Sequence, residues 1–462
     1  MIDQTLVREK LYQKYIEPTK NNTHKYIGIE VEMPIVNLDK QAVDFVKIHK
    51  LTAKFMEHFQ FEVMSRDDDG NVNAAKNPDN GDILSYDCSY NNLELSLGRE
   101  KTLQALYQRF HDYYVYIQEE LKQYNYTLTG MGVNPYRQYN NNVPIPNGRY
   151  RMLFHHLSSY PKYQDLPMYF HEYPDYGLFS SASQVQLDVD YENLILMIRG
   201  FSKVEPIKAL LFNNSIMLDE QEELACCRDM FWENSTHGIN PHNIGMFDCE
   251  LESVEELQSY IESTSMYCVE RDGKYINFPP IPVMEYFEQE SITGEYYADG
   301  SYHEISFTPE IEDLDYLRTF KFEDLTFRGT IEFRSVRCQP IKDVMTVSAF
   351  HLGLKRRVKE LDKLLQEDQV IYHNGFSATE LRKMFVKREL PAFVDKEDLY
   401  GLAKQVVDLA KDGLLERGYG EEVYLEPLYE RIRQQSNPAQ KMLQHLSENG
   451  DIDDMIVEYG RI

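Results

Sequence analysis

The sequence predicts an α+β fold in which helices cover the apolar face of an antiparallel β-sheet and further helices follow at the C-terminus. Four segments alternate strictly between apolar and polar residues, which is typical of strands that bury one face. Segments between them repeat apolar residues every three to four positions, as amphipathic helices do. From about residue 351 the helical pattern is nearly continuous, so we expect an α+β domain over residues 1–350 and a helical subdomain packed on it over 351–462.

The first two alternating segments bring carboxylates to one face of the sheet. In KYIGIEVEM, Glu30 and Glu32 point to the same side because side chains on a strand alternate. In NNLELSLG, Asn92, Glu94 and Ser96 point away from three leucines. Each strand therefore has one apolar face for the core and one polar face.

The last two alternating segments extend this pattern. SQVQLDVD places Gln184 and Gln186 on its polar face, and GTIEFRSV places Glu332 and Arg334 there. Any one of these segments is also compatible with a strand whose polar face lies in water. The four together, with polar faces dominated by Glu and Gln, favour one shared face that is rich in oxygen ligands.

Helices are predicted from both periodicity and capping. Apolar periodicity predicts amphipathic helices over 41–59, 103–121 and about 191–213, the last of which we expect Pro206 to kink. Residues 65–82 are rich in Asp, Asn and Gly, and predict turns between strands. Three further helix starts carry capping patterns, namely Ser253-x-x-Glu256, Ser377-x-x-Glu380 and Asn437-Pro438 with Gln440.

Composition excludes several classes of partner. The 462 residues contain 48 Lys and Arg against 76 Asp and Glu, a net charge of −28, which disfavours nucleic acid and anionic membranes as partners. The start, MIDQTLVREK, lacks the order of a signal peptide, and no apolar run approaches the ~18 residues of a membrane span, so we expect a cytoplasmic protein. The six cysteines lack zinc spacing and are expected to be reduced. No pattern indicates an oligomeric state.

The shared polar face indicates metal chemistry. Clustered carboxylates repel one another unless a cation neutralises them, and Mg²⁺ or Mn²⁺ is the natural occupant of an all-oxygen site. Magnesium held by carboxylates commonly meets substrate phosphates, and Arg334 would stabilise charge on a transferring phosphoryl group. Neither GxxxxGK[ST] nor GxGxxG is present. The residues alone therefore predict a magnesium-dependent enzyme of either phosphoryl transfer or hydrolysis.

These segments resemble the glutamate–cysteine ligase family (γ-glutamylcysteine synthetases), more closely its plant and proteobacterial branch. The ordered match runs from IGIEVEM to LAKDGLLERGYGEEVYL through ILSYDCSYNNLELS, GMGVNPYRQYNNNVPIPNGRY, CRDMFW, MYCVERDGKYI and RGTIEFRSVRCQP. The resemblance implies a glutamine-synthetase-like antiparallel sheet that forms a funnel. It also implies an enzyme that uses ATP and Mg²⁺ to join the γ-carboxylate of glutamate to the amine of cysteine through a γ-glutamyl phosphate, the first step of glutathione-type thiol synthesis.

The resemblance also implies which residues act. Arg334 and Glu332 match catalytic positions, with Arg334 near the transferred phosphate. Two or three Mg²⁺ ions, with Mn²⁺ as a possible substitute, would be held around the triphosphate by Glu30, Glu32, Asp87, Glu94 and Glu332.

Substrate contacts follow from the same resemblance. Arg228 and Trp232 keep the family step Arg-x-x-x-Trp, and Arg199 matches a second arginine that would hold the α-carboxylate of glutamate with Arg228. Arg199 is also compatible with a surface ion pair on a helix, and Trp232 with core packing. Further contacts on this basis are Gln184, as a weaker ligand or substrate contact, and Tyr267, Arg271 and Tyr275.

One departure from the family pattern concerns the acceptor. An insertion around 316–327, YLRTFKFEDLTF, is expected to form an added hairpin or a lengthened strand pair near the site. The acceptor could therefore be another amine or amino acid. A catalytically silent binding or regulatory relative is the remaining alternative.

Overall fold

The computed structural model describes residues 2–21, 25–218 and 223–462. Within these ranges the strands are β1 Ile27–Asn37, β2 Glu62–Arg66, β3 Val72–Lys76, β4 Ile83–Tyr86, β5 Asn92–Glu100, β6 Tyr126–Leu128, β7 Ser183–Asp188, β8 Ile244–Gly245, β9 Ser265–Arg271, β10 Lys274–Pro282, β11 Ile292–Ala298, β12 Ser301–Phe307, β13 Phe320–Lys321, β14 Glu323–Leu325 and β15 Thr330–Phe333. The α-helices are α1 Gln4–Leu11, α2 Glu17–Lys20, α3 Phe45–Phe59, α4 Leu103–Lys122, α5 Gly148–Ser158, α6 Leu194–Phe212, α7 Arg228–Glu233, α8 Val254–Glu262, α9 Val283–Glu288, α10 Val344–Arg356, α11 Val358–Gln366, α12 Ala378–Phe385, α13 Lys396–Arg417, α14 Glu426–Gln434, α15 Pro438–Ser447 and α16 Ile452–Tyr459.

The four predicted strands form the centre of one large antiparallel sheet. Its order is β14-β15-β7-β1-β5-β4-β3-β2, with β6 also paired to β1. A four-stranded antiparallel sheet, β12-β11-β10-β9, and a short parallel pair, β13-β8, complete the strands of the described ranges. The predicted mixed fold with antiparallel sheets and helices is therefore confirmed.

Helices cover the apolar face of the large sheet, as the alternation predicts. Ile29, Leu95 and Leu187 are all buried on this face. Helix α4 packs on β5 and α10 packs on β7. Phe201 of α6 lies 4.4 Å from Phe333 of β15, measured between ring centroids. Burying this face leaves the opposite, polar face available to form a site.

Helix boundaries differ from the periodicity in two places. Helix α3 begins at Phe45 rather than 41, because Asp44 caps it by accepting a hydrogen bond from the Val46 N–H. Helix α6 begins at Leu194 after a 3-10 turn, Tyr191–Asn193, and continues through Pro206 to Phe212. Residues 203–212 are all buried, so packing supports the helix around the hydrogen bond that proline removes.

The capping patterns are confirmed to different degrees. Ser377 and Asn437 form complete capping boxes at the starts of α12 and α15. Ser253 caps α8, but the Glu256 carboxylate accepts from the Glu252 N–H instead of returning to Ser253. None of the helices in the described ranges combines the length and apolar character that a membrane crossing needs.

The C-terminal helices pack on the rest of the chain. Helices α11 and α12 contact α6, and α13 contacts α10. The expected boundary at residue 350 falls inside α10, so this helix belongs to both parts. The division into two parts stays a prediction.

Arg382 of α12 is a buried cation that connects three helices. Its Nε and Nη2 donate to the Asp229 carboxylate of α7 at 2.7 and 3.0 Å, and its Nη1 donates to Glu205 of α6 at 2.6 Å. The exposed fraction of its side chain is 3%. Asp229 follows Arg228 in the chain, so this ion pair also anchors the start of α7.

Replacing Arg382 by methionine is expected to lower the free energy of unfolding by about 3–5 kcal/mol, because the buried Asp229 carboxylate loses its cation and Glu205 is left paired with Lys208 alone among its two cations. Urea denaturation measures the change. The matched control is Arg433→Met, whose exposed ion pair with Glu426 is expected to contribute less than about 1 kcal/mol. Equal losses in the two variants would contradict the role of the buried pair.

Candidate active site

The register of the large sheet aligns polar side chains across adjacent strands. Directly opposed residues have Cβ atoms about 4.5–5.5 Å apart, so they are contacts on one face. The opposed pairs on the polar face are Glu30 with Gln184 and with Ser96, Glu32 with Glu94, and Glu332 with Gln186 and with Asp324. The predicted oxygen-rich face is thus present, and Asp324 of the inserted segment is an addition that the alternation did not indicate.

Neighbouring donors hold two of these carboxylates in place. Glu32 accepts from the Ala182 N–H at 2.7 Å and from Gln184 Nε2 at 2.8 Å. Glu94 accepts from the Ser96 hydroxyl at 2.7 Å. Gln184 therefore supports Glu32 through its amide nitrogen, while its buried Oε1 has no partner within the described ranges.

Burial makes negative charge on this face unfavourable. Burial raises the pKa of Glu32 to about 8, with Asp87 and Glu94 adding to it. Burial also raises the pKa of Glu30 well above its ordinary value, helped by the charges of Glu332 and Glu94. The pKa values of Asp87 and Glu94 are raised by burial as well. A nearby positive group is therefore needed to stabilise these carboxylates in their ionised form.

The donor chemistry fits a hard cation, although the side chains do not enclose one in this conformation. Among the described residues, no group of three or more His, Cys, Asp or Glu side chains converges to hold a metal ion. The available donors are carboxylate oxygens on one sheet face, which is the ligand type that Mg²⁺ and Mn²⁺ prefer. Metal binding by these residues remains a proposal.

In metal-free buffer the raised pKa of Glu32 predicts that stability falls as pH rises. In the unfolded chain Glu32 has its ordinary pKa of 4.5, whereas in the folded protein it keeps its proton up to about pH 8. The contribution of protonated Glu32 to the free energy of unfolding is therefore complete below pH 4.5 and is lost as the pH rises through about 8. One proton gives a slope of up to about 1.4 kcal/mol per pH unit. Urea unfolding at pH 5.5 and at pH 8.5 with a chelator measures it. Glu32→Gln is expected to flatten the slope; an unchanged slope would contradict this origin.

A cavity of about 140 Å³ adjoins the carboxylates. Glu32, Asp87 and Gln184 lie on its wall. Five arginines also line it, namely Arg149, Arg228, Arg318, Arg334 and Arg337. In a chain with a net charge of −28, this concentration of arginine makes the cavity chemically suited to anionic groups.

Two of these arginines are buried with unused donors. Arg228, at the start of α7, is 4% exposed, and Arg337 is 2% exposed. Three of their donor atoms have no hydrogen-bond partner in the described part of the chain, namely Arg228 Nε and the Nε and Nη2 of Arg337. Burial lowers the pKa of Arg228 to about 9, and the charge of Arg337 adds to the effect. A carboxylate bound between them would satisfy these donors and relieve their repulsion.

Aromatic rings form another wall of the cavity. Trp232 stacks on Phe320 at 4.6 Å, and the Arg228 guanidinium lies 5.6 Å from the Trp232 ring centroid. Tyr267 stacks on His156 at 4.1 Å. Trp232 and Tyr267 both line the cavity, as does Tyr275. Trp232 therefore combines packing with a position against the cavity.

Two predicted substrate contacts, Arg199 and Arg271, are not among the residues that line this cavity. Arg199 donates through Nε and Nη2 to Asp362 at 3.1 and 2.8 Å, and it also pairs with Glu252. Arg271 pairs with Asp313. Both guanidiniums point to ion partners on neighbouring helices or turns. Arg199 therefore forms the ion pairs that the alternative interpretation expects, and Arg337 is buried beside Arg228 in the cavity wall.

Arg334 lies at the junction of the carboxylate face and the cavity. Its Nη1 is 2.9 Å from the Glu332 carboxylate, and this charge together with Asp324 raises its pKa against the effect of burial. Its guanidinium lies 5.7 Å from the Phe320 ring centroid. The structure therefore brings the predicted pair of Glu332 and Arg334 into direct contact beside the cavity.

Sequence reasoning missed Arg149, Arg318 and Arg337 as cavity residues. Arg149 and Arg337 lie inside segments that carried the resemblance, NGRY and RSVRCQP, but neither belongs to an alternating strand. Residues 316–327, which the resemblance implies are inserted, form β14, paired to β15, and β13, paired to β8. Nothing in the order of apolar and polar residues in this segment indicates that Arg318 lies at the cavity.

Comparison with known sequences identifies one family. A profile of the family described as Glutamate-cysteine ligase family 2 (GCS2) matches residues 26–458. The chain is 24% identical over 312 residues to the chloroplastic glutamate–cysteine ligase of Solanum lycopersicum, covering 65% of this chain and 54% of that protein. It is 22% identical over 331 residues to the chloroplastic enzyme of Medicago truncatula, covering 68% and 58%. The chain thus spans about half the length of the curated relatives it matches.

Solved structures give a weaker likeness. Glutamate–cysteine ligase from Francisella tularensis, solved in complex with AMP, matches with a TM-score of 0.47 and 11% identity over 96% of this chain and 89% of that one. A bifunctional glutathione synthetase from Pasteurella multocida matches with a TM-score of 0.46 and 11% identity over 98% and 52%.

Proposed function

This chain belongs to glutamate–cysteine ligase family 2, and on that basis we propose that it ligates the γ-carboxylate of glutamate to the amine of cysteine with ATP. The observation that carries the proposal is the arginine-lined cavity beside the carboxylate face. A reaction between two anionic substrates needs cationic groups for the amino-acid carboxylates and for the phosphates. The buried arginines provide the first, and Arg334 beside the carboxylate face provides the second.

We assign the α-carboxylate of glutamate to Arg228 and Arg337. Their unused buried donors support this assignment, because a bidentate carboxylate restores hydrogen bonds that the empty guanidiniums lack. Trp232 would pack beside the bound glutamate. The γ-carboxylate would then extend toward Arg334.

We propose that the carboxylate face of the large sheet holds metal ions. Two or three Mg²⁺ ions, or Mn²⁺, would be held by Glu30, Glu32, Asp87, Glu94 and Glu332, and would supply neutralisation of the triphosphate oxygens. The supporting observation is the set of buried carboxylates whose pKa values are raised. We also propose that this face forms the wall of a funnel and that the protein is cytoplasmic.

The proposed reaction has two steps. An oxygen of the γ-carboxylate forms a bond to the γ-phosphorus of ATP, and ADP leaves with the electrons of the broken P–O bond. The acceptor amine then attacks the acyl carbonyl and expels phosphate, while its proton passes to that phosphate or to a nearby carboxylate. Arg334 donates hydrogen bonds to the transferring phosphoryl group. Arg228 and Arg337 hold the glutamate in the same position and orientation during both steps.

The acceptor is the least constrained part of the proposal. The inserted segment contributes Arg318 and Phe320 to the cavity wall, which supports the alternative of another amine or amino acid as acceptor. A silent relative would have no need for clustered buried carboxylates beside Arg334, and their presence counts against that alternative.

An ADP-release assay with ATP, Mg²⁺, glutamate and a panel of amines tests the proposed function. ADP formation that requires both glutamate and L-cysteine is the expected result. ADP formation with a different amine would replace cysteine as the acceptor and keep the ligase chemistry. If no amine elicits ADP from a folded protein, the ligase assignment fails.

A further inference from the structure

The inserted segment is part of the cavity rather than a surface decoration. Phe320, in β13, stacks on Trp232 with a centroid distance of 4.6 Å and an interplanar angle of 25°, and it lies 4.8 Å from His237. Strand β13 pairs with β8 at Ile244. Asn243 also donates to the Arg318 carbonyl at 3.1 Å, which holds the backbone of Arg318 beside the cavity.

Arg318 lies where the cavity meets the outside. It lines the cavity and also an outer groove of about 470 Å³ that includes Lys14 and Phe327. The residue is exposed, and its guanidinium makes no hydrogen bond or ion pair with any residue in the described ranges. Arg318 is therefore a cation at the entrance of the cavity, and its N–H groups are available to bind a ligand.

Three other arginines of the cavity have different surroundings. Arg334 is paired with Glu332 at 2.9 Å, and Arg228 and Arg337 are buried side by side near Glu32. Arg318 instead lies near Tyr267 and Tyr275, as Arg149 also does. Of these two, Arg318 is the one that also lines the outer groove.

We propose that Arg318 binds the carboxylate of the acceptor, so that the acceptor is an amino acid rather than a simple amine. This inference rests on the proposed ligase function. A guanidinium binds a carboxylate through two parallel hydrogen bonds, which fixes the orientation of the attached amine. Phe320 and Tyr267 both line the cavity, each near His237, and provide an apolar surface for the acceptor side chain.

The test compares Arg318→Gln with the wild type on L-cysteine and on cysteamine, which is cysteine without its carboxylate. Loss of one charged hydrogen-bonding group is expected to lower kcat/KM for L-cysteine by ~10–100-fold. The value for cysteamine, and the KM values for glutamate and ATP, are expected to change less than ~3-fold. Arg318→Lys should recover part of the L-cysteine activity, because it keeps the charge. Arg433→Gln, at an exposed position of α14, is the control and should match the wild type.

Each outcome decides between the roles. An equal loss with both amines, or a raised KM for glutamate or ATP, would overturn the acceptor role of Arg318 while the ligase function stands. If the wild type uses another amino acid, the same comparison is made with that amino acid and its decarboxylated analogue. If the wild type forms no ADP with any amine, the ligase function and the acceptor role fall together.

Discussion

Replacing Glu332 by glutamine is expected to lower kcat for ADP release by at least ~100-fold while the protein still folds. Glu332 lies on β15 opposite Gln186 and Asp324, and its carboxylate is 2.9 Å from Arg334. Glutamine keeps the shape but removes the charge that would hold a metal ion and orient Arg334. Turnover is measured at saturating ATP, glutamate and acceptor, with urea denaturation as the check on folding.

The control for this variant is Glu426→Gln, whose ion pair with Arg433 is exposed. It should retain wild-type turnover. A Glu332→Gln variant that turns over at near the wild-type rate in saturating Mg²⁺ would rule out Glu332 as a ligand and as the partner of Arg334.

Replacing Arg228 by alanine is expected to raise the KM for glutamate by ~30-fold or more, with the KM for ATP changed less than ~3-fold. Arg228 is buried, and its Nε has no partner among the described residues. Its loss would leave the α-carboxylate of glutamate with Arg337 alone. Steady-state kinetics with each substrate varied in turn separates the two KM values.

Arg199→Ala is the matched comparison, because the family resemblance implied Arg199 and the structure places it with Asp362 and Glu252. Its KM for glutamate is expected to equal that of the wild type. A rise in that KM for Arg199→Ala but not for Arg228→Ala would show that the carboxylate contact was assigned to the wrong arginine.

The central strands could be predicted because one physical constraint shapes each of them. A strand with one buried face must alternate, and β1, β5, β7 and β15 all do so. Because Glu and Gln dominate the polar faces of all four strands, we could also predict that the strands share one face of a single sheet. The edge strands β13 and β14 are only 2 and 3 residues long, too short to show alternation.

The arginines of the cavity show where sequence reasoning stops. Arg199 and Arg228 both lie on helices, and both matched family positions, yet only Arg228 lines the cavity. A long side chain points toward whichever partner the fold brings near, and Asp362 is 163 residues away from Arg199 in the chain. Arg337 follows β15 at an isolated β-bridge to Ala182, which is too short for an alternating pattern to indicate where the side chain points. Contacts of this kind require the tertiary structure.

The net charge of −28 and the proposed binding of two anionic substrates are compatible. The cavity wall collects five arginines, whereas Glu32 and Asp87 are the acids that line it. Many of the other acids lie on exposed helix faces, as Glu360 of α11 and Glu416 of α13 do. Local charge at the cavity, rather than the total, therefore governs which ligands bind there.

The central claim is that the γ-carboxylate of glutamate is activated by phosphorylation at this site, and isotope transfer tests it most directly. Glutamate labelled with ¹⁸O in the γ-carboxylate is incubated with ATP, Mg²⁺ and the acceptor, and the phosphate is analysed by mass spectrometry. The account predicts one ¹⁸O atom in the released phosphate for each ligation, because the attacking oxygen stays on phosphorus when the amine expels it. Product formed with unlabelled phosphate, or with the label in AMP, would contradict it.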